Sequence, residues 1–401
     1  MADPVSRRRL LGGAGGVAAG GLLTAAGPSG SAVARAGTRD PRCAGAPPAV
    51  APVNREVAAR HGLDYKAMPR QAVGVDVDSL ITLDSTADVA ARRARLIEYV
   101  WKGAGLPARL PGVARGVSTP ELASLTGVRR IDELSVPLAH GVTSRVFHVL
   151  PQRGWNHRLA VYHNGHGEAF DTMVGTLRGL LHHGYSVLVC AMPFMHWNAR
   201  AIADPAGAGR PVKVTSHDEL ARWESARFSG LTFFLEPVAV ALNHAIATYR
   251  PTSVQMIGLS GGGWTTTVYA AIDPRVTRSY PAAGSLPFYL RSAAPYTRST
   301  IGDWEQRKDT LPGFYGIAGY LDMYVMAATG PRRRQMQVLN RFDPCCFGGV
   351  GHRSYSAAVS HRAGVIGGDW DVLDDATHDR HSISPYALSA ILRDLDAGHD
   401  G

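Results

Sequence analysis

The stretch Ser253-Val-Gln-Met-Ile-Gly-Leu-Ser-Gly-Gly-Gly-Trp264 decides how this chain folds. It begins as a short apolar run of strand character, passes through a serine set among glycines, and continues as a helix start. Gly258-Leu259-Ser260-Gly261-Gly262 has the spacing G-x-S-x-G. That spacing has a steric cause. A serine whose Oγ must stand clear of a sheet sits on a sharp, strained turn. A side chain two residues before or after it would strike the adjoining strand or helix, so glycine is required at both places. With 45 glycines in 401 residues, chance alone produces such a pattern roughly 0.3 times. The surrounding sequence must therefore carry the reading.

On the N-terminal side, Ile131 to Leu138 and Ser144 to Leu150 are extended runs separated by Ala139-His-Gly-Val142, which predicts an antiparallel hairpin at a sheet edge. Arg158-Leu-Ala-Val-Tyr162 is the next expected strand and runs into His163-Asn-Gly-His-Gly167. A helix is expected near Asp171 to His183, a buried strand at Tyr185 to Ala191, and a long helix at about 230–250. Beyond the serine come strands at Arg275 to Tyr280, Gln335 to Asn340 and Trp370 to Asp374, then a helix at about 385–396. Apolar strands alternating with helices predict an α/β architecture, a mostly parallel sheet covered by helices on both faces.

In that context the serine motif resembles the nucleophile elbow of the α/β-hydrolase superfamily, and the resemblance spans about residues 130–397. It implies that Ser260 is an acyl-accepting nucleophile. It also implies an oxyanion hole built from the backbone N–H of Gly261 and one from the loop after the strand ending at Tyr162. Asn164-Gly-His-Gly167 resembles the superfamily's H-G-x-G, with Asn in place of the first His. This assigns the second donor to His166, while a register starting at His163 shifts it by one or two residues. The triad acid is expected after the strand Gln335 to Asn340, where Arg341-Phe-Asp343-Pro stands. An Asp-Pro turn would account for the same residues, and Asp303, Asp322 and Asp369 are less well placed. The general base is expected after the last strand. His381, immediately before the Ser-x-Ser-Pro start of the final helix, fits best, with His378 as the alternative. Ser260, Asp343 and His381 then follow the superfamily's Ser, Asp, His order. In this superfamily, insertions after the sixth strand commonly form a cap. The stretch of about 286–330 fits that place and reads as irregular. It holds Phe288, Tyr289, Tyr296, Trp304, Phe314, Tyr315, Tyr320 and Tyr324. Tyr289, Trp304 and Tyr315 are the expected substrate-binding residues, although such aromatics would equally make a local core.

The remaining sequence sets the context. Arg7-Arg-Arg-Leu-Leu11, a glycine-rich apolar run to Leu23 and A-x-A sites near Ala34 predict a removable export signal over residues 1–36, resembling the twin-arginine type. Residues 37–55 read as a linker, 56–128 as an extension packed on the main domain, and 129–401 as the hydrolase domain. No later stretch reaches 18 apolar residues, so no membrane span is expected. The formal charge of +9 is scattered without a basic block, which gives no nucleic-acid footprint. Cys190 sits in an apolar run and reads as a buried thiol. Adjacent Cys345 and Cys346 leave open a vicinal disulfide or a bridge to Cys43. No Cys/His metal spacing is present, so neither metal nor cofactor is expected. The expected activity is hydrolysis of carboxylic esters through an acyl-enzyme. The ester could be small or polymer-borne. The competing readings are a lipase or polyester depolymerase, a peptidase of the same fold, and a non-catalytic binding protein.

Overall fold

A computed structural model of the chain describes residues 52–167, 170–207, 210–291 and 301–398. The export segment and most of the linker, with Cys43, lie outside the described residues, as does Tyr296. Nine strands form the main sheet: β1 (Gly112–Arg115), β2 (Val128–Pro137), β3 (Thr143–Pro151), β4 (Arg158–Asn164), β5 (Ser186–Ala191), β8 (Ser253–Leu259), β9 (Val276–Ala282), β10 (Arg334–Asn340) and β11 (Asp369–Asp375). Two further short strands, β6 (Ala201–Ala203) and β7 (Pro211–Lys213), pair with each other. The sheet order is β1-β2-β3-β5-β4-β8-β9-β10-β11. From β5 to β11 every pairing is parallel, while β1, β2 and β3 join antiparallel at one edge.

Side-chain alternation along the central strands explains the layering. In β4, Leu159 and Val161 face one apolar cluster and Ala160 and Tyr162 the other. In β8, Val254 and Met256 face the first cluster and Ile257 and Leu259 the second. Strands buried on both faces read as continuous apolar runs, as these do. The helices Thr86–Trp101, Thr232–Tyr249, Gly261–Ile272 and Tyr320–Ala328 contribute to the first cluster, and Phe170–His182 and Pro385–Ala397 to the second. Each large aliphatic side chain buried in these layers contributes roughly 1.5–3 kcal/mol.

The local signals act as their chemistry requires. Ser85 caps Thr86–Trp101 by accepting from the Asp88 N–H. Val89, Leu96 and Val100 form its buried stripe, and Lys102 in the left-handed region ends it. Pro385 stands in the first turn of the last helix, and Ser384 accepts from the Ala387 N–H. The stretch 56–128 contributes helix Thr86–Trp101 to the core and also supplies β1, whose four residues are all exposed. The stretch 286–330 is more regular than its sequence suggests. It carries the helices Phe288–Arg291, Pro312–Ile317 and Tyr320–Ala328 and a 3-10 turn at Trp304–Gln306. Every residue of Tyr320–Ala328 is buried. No described helix is long and apolar enough to cross a membrane.

Candidate active site

Ser260 joins β8 to the helix Gly261–Ile272 with φ 59° and ψ −124°. A non-glycine residue in this region carries strain of about 1–3 kcal/mol. The surroundings hold it there. The Ser260 N–H donates to the Ala282 carbonyl at 2.8 Å. A Cβ on Gly258 would lie 2.3 Å from the Gly262 carbonyl oxygen, and one on Gly262 would lie 1.9 Å from that of His163. Both glycines of G-x-S-x-G are thus enforced by backbone. The first N–H groups of the helix, Gly261 among them, have no intrahelical acceptor and carry the positive end of the helix dipole.

The loop after β4 packs directly on this turn. A Cβ on Gly165 would be 2.5 Å from the Leu259 carbonyl oxygen and 2.7 Å from Ser260 Cβ. A Cβ on Gly261 would be 2.4 Å from His166 Nδ1. His196 Nε2 donates to the Gly165 carbonyl at 2.7 Å. A trans peptide is planar, so the N–H of His166 points away from that contact. His163 is buried and its Nδ1 lies 3.0 Å from the Asn164 carbonyl. Asn164 is fully buried, and its amide nitrogen reaches the Met173 sulfur at 3.5 Å.

Asp343 is fully buried after β10. Its Oδ2 accepts from His381 Nδ1 at 2.8 Å, and its Oδ1 accepts from the N–H groups of Cys345 and Cys346 at 2.8 and 2.9 Å. Asn340 Nδ2 approaches Oδ2 at 3.3 Å. The Asp-Pro turn and the charged partner of a histidine are therefore one and the same feature. His378 is placed differently. Its Nε2 lies 3.4 Å from Asp375, and its Nδ1 accepts from the Arg380 N–H. Fully buried Asp375 also accepts from the Thr377 N–H and hydroxyl and from Ser384, which fixes the loop that carries His381. The other acids are engaged elsewhere: Asp322 with Thr82, and Asp369 with Arg334.

Cys345 and Cys346 are free thiols, not a vicinal disulfide, and Cys190 is a buried thiol whose pKa burial pushes up to about 12. The sulfurs of Cys345 and Cys346 and a ring nitrogen of His381 lie within 4.8 Å of one another. The Ser260 hydroxyl reaches Cys346. Ser260 and the Asp343–His381 pair thus both lie against the adjacent cysteines. Hydrogen bonding from Cys346 lowers the Cys345 thiol pKa to about 6.

The aromatic residues divide. Trp304 and Tyr315 are 1% and 3% exposed. Trp304 closes on Gly230, and the Tyr315 hydroxyl accepts from Trp264 Nε1 and donates to the Glu305 carbonyl. Their rings have no open face for a ligand, which corrects the expectation of a substrate wall at these two positions. Tyr289 is half-buried and shares a hydrogen bond with Ser354 at 2.7 Å. A cavity of about 490 Å³, lined by Thr126, Gln152, Arg178 and His182 among others, shares no residue with the Ser260 cluster.

Sequence reading missed several supports. Lys66 donates to the Asp343 carbonyl at 3.0 Å, and Arg60 and His61 reach Asp379 in the histidine loop. These residues brace the loops of Asp343 and His381 from the N-terminal stretch. Nothing local in their sequence marks them, because the contacts span some 280–320 positions.

No family model and no curated protein matches the sequence. Solved structures do match. An acetyl xylan esterase from Paenibacillus sp. R4 aligns with a TM-score of 0.51 at 15% identity, covering 79% of this chain and 96% of that one. Acetyl xylan esterase 1 from Thermoanaerobacterium sp. JW/SL YS485 aligns at 0.50 and 14% identity, covering 82% and 99%. The methylesterase BT1017 aligns at 0.54 and 15% identity, covering 79% and 65%. At such identities the likeness is one of fold. The chain has the α/β-hydrolase fold, and these structural neighbours are esterases.

Proposed function

We propose that this chain is an exported serine esterase in which Ser260, His381 and Asp343 cleave carboxylic esters through an acyl-enzyme. The observation that carries the reading is the 2.8 Å contact of His381 with buried Asp343, beside a serine on a strained glycine turn. Asp343 can only accept, so His381 Nδ1 holds its proton there and Nε2 is the nitrogen left for proton transfer. His381 takes the Ser260 proton as Oγ attacks the ester carbonyl. The oxyanion that forms accepts from the Gly261 and His166 N–H groups. The same proton passes to the departing alcohol as the C–O bond breaks. Water, deprotonated by His381, then attacks the acyl-serine, and the acid leaves as Ser260 regains a proton.

Acetyl esters of carbohydrates are the first substrates to test, because two of the structural neighbours are acetyl xylan esterases. The test is hydrolysis of p-nitrophenyl acetate and acetylated xylan by wild type, Ser260→Ala and Asp343→Asn. Ser260→Ala should lose about six orders of magnitude in kcat, and Asp343→Asn about four, through the wrong histidine tautomer. Near wild-type turnover by Ser260→Ala on both substrates would overturn the reading. Export is tested by tracking the full chain with Arg7 and Arg8 replaced by lysine, which should stay inside the cell.

A further inference from the structure

Beside the oxyanion loop, four side chains from three separate parts of the chain converge. His166 comes from the loop after β4, His217 from the 3-10 helix His217–Arg222, and Asp303 and Glu305 from the insertion. One ligand atom from each lies within 4.8 Å of the others. His166 Nε2 is 3.0 Å from His217 Nδ1, 3.0 Å from Asp303 Oδ2 and 3.3 Å from Glu305 Oε1. His217 Nδ1 is 3.4 Å from Glu305 Oε2.

Proton counting shows what this cluster lacks. His217 Nε2 lies 2.9 Å from the Pro193 carbonyl, which only accepts, so Nε2 bears the proton. Nδ1 of His217 faces His166 Nε2 at 3.0 Å, and two N–H groups cannot point at each other across that distance. At most one proton therefore stands between the rings. It faces four acceptors: His217 Nδ1, Asp303 Oδ2 and both oxygens of Glu305. The Glu305 side chain is 0% exposed, and its oxygens make no well-formed hydrogen bond, meeting His166 Nε2 at 3.3 Å and His217 Nδ1 at 3.4 Å. Protonating His166 would offset one carboxylate and leave Glu305 and His217 meeting acceptor to acceptor. A buried carboxylate in that condition is strongly unfavourable.

We propose that His166, His217, Asp303 and Glu305 bind one divalent transition-metal ion, with zinc the best match. Four ligands at about 2.0–2.1 Å in a tetrahedron stand roughly 3.3 Å apart, and the four contacts above run from 3.0 to 3.4 Å. Two imidazoles and two carboxylates suit zinc and its neighbours, whereas calcium and magnesium favour all-oxygen sites. The outer shell is in place. Pro193 fixes the His217 tautomer, and the His217 ring packs edge-on to Phe234 at 5.0 Å. Asp303 is 45% exposed on its side chain and gives the ion a way in. Four protein ligands close the coordination sphere, which marks a structural ion. It would tie the insertion and the 214–223 segment to His166, so it acts as a positioning element for the oxyanion loop.

The test measures bound metal, not turnover. The full chain is stripped with a chelator, incubated with zinc, passed through gel filtration and assayed by elemental mass spectrometry. Wild type should retain one zinc per chain. His217→Ala and Glu305→Gln should bind at least about 100-fold more weakly. Asp303→Asn, at the exposed ligand, covers the case in which the buried variants do not fold. The cobalt-substituted protein should show the intense visible bands of four-coordinate cobalt, and zinc, but not magnesium, should restore a melting temperature lowered by chelation. Cys345→Ser/Cys346→Ser should keep its zinc. Retention well below one ion per chain in wild type would overturn the proposal. So would equal retention by folded His217→Ala, or loss of zinc only in the cysteine variant.

Discussion

Gly262→Ala tests how closely the Ser260 turn is fitted to the sheet. The new Cβ would stand 1.9 Å from the His163 carbonyl oxygen and 2.6 Å from its carbon. Both are backbone atoms of β4, so no side chain can swing aside. Real Cβ atoms essentially never come within 3.0 Å of such an atom, so helix and strand must part by about 1.1 Å at this point. That shift moves Ser260 relative to the loop carrying His166. A misplacement of about 1 Å costs roughly 100-fold in rate, and overpacking costs about 1–3 kcal/mol. The assay is kcat/KM on p-nitrophenyl acetate together with urea unfolding. Gly175→Ala is the control, in the exposed face of Phe170–His182, where an added Cβ meets nothing within 4 Å. It should leave kcat/KM unchanged and stabilise by about 0.5–1 kcal/mol. If Gly262→Ala kept kcat/KM within about threefold of wild type and lost no stability, the steric reasoning for the elbow would be refuted.

Two other measurements bear on the site and the core. Cys345 is exposed, and its thiol pKa is lowered to about 6, so alkylation by iodoacetamide should reach its plateau rate near neutral pH and inactivate the enzyme, while Cys345→Ser resists; a rate still climbing through pH 8.5 would count against the thiolate. Burial drives the pKa of His148 down to about 3, against a counter-effect from Asp132, and that of His163 down to about 4. Both titrate near 6.5 when unfolded. Between those values the unfolded chain binds more protons, so stability is full above about pH 6.5 and falls as pH drops, by about 2 kcal/mol per histidine at pH 5. His148→Phe keeps the edge-on packing against Tyr249 at 4.8 Å and should flatten that slope in urea unfolding at pH 7 and 5; an unchanged slope would show that His148 is not buried neutral.

What the sequence made legible was local or periodic. The elbow could be read because its glycines, strand and helix start lie within twelve residues. The positions of Asp343 and His381 followed from being the acid and histidine just past two strand ends. The density of aromatics in 286–330 was visible, but the direction of each side chain was not. Trp304 and Tyr315 turn inward because Gly230 and Trp264 leave room and a donor for them, and those partners are 74 and 51 positions away. Strand β1 carries no apolar alternation, since all four of its residues are exposed at the sheet edge. The His166, His217, Asp303 and Glu305 set has no readable spacing, because only the fold brings its three loops together. The bracing of the Asp343 loop by Lys66 is hidden for the same reason.

The nucleophile is tested most directly by reacting the full chain with a fluorophosphonate and mapping the adduct by peptide mass spectrometry. One phosphonyl group per chain is expected, on Ser260, with no labelling of Ser260→Ala and much slower labelling of Asp343→Asn. An adduct on another residue, or equal labelling of Ser260→Ala, would contradict the assignment of Ser260 as the residue that takes the acyl group.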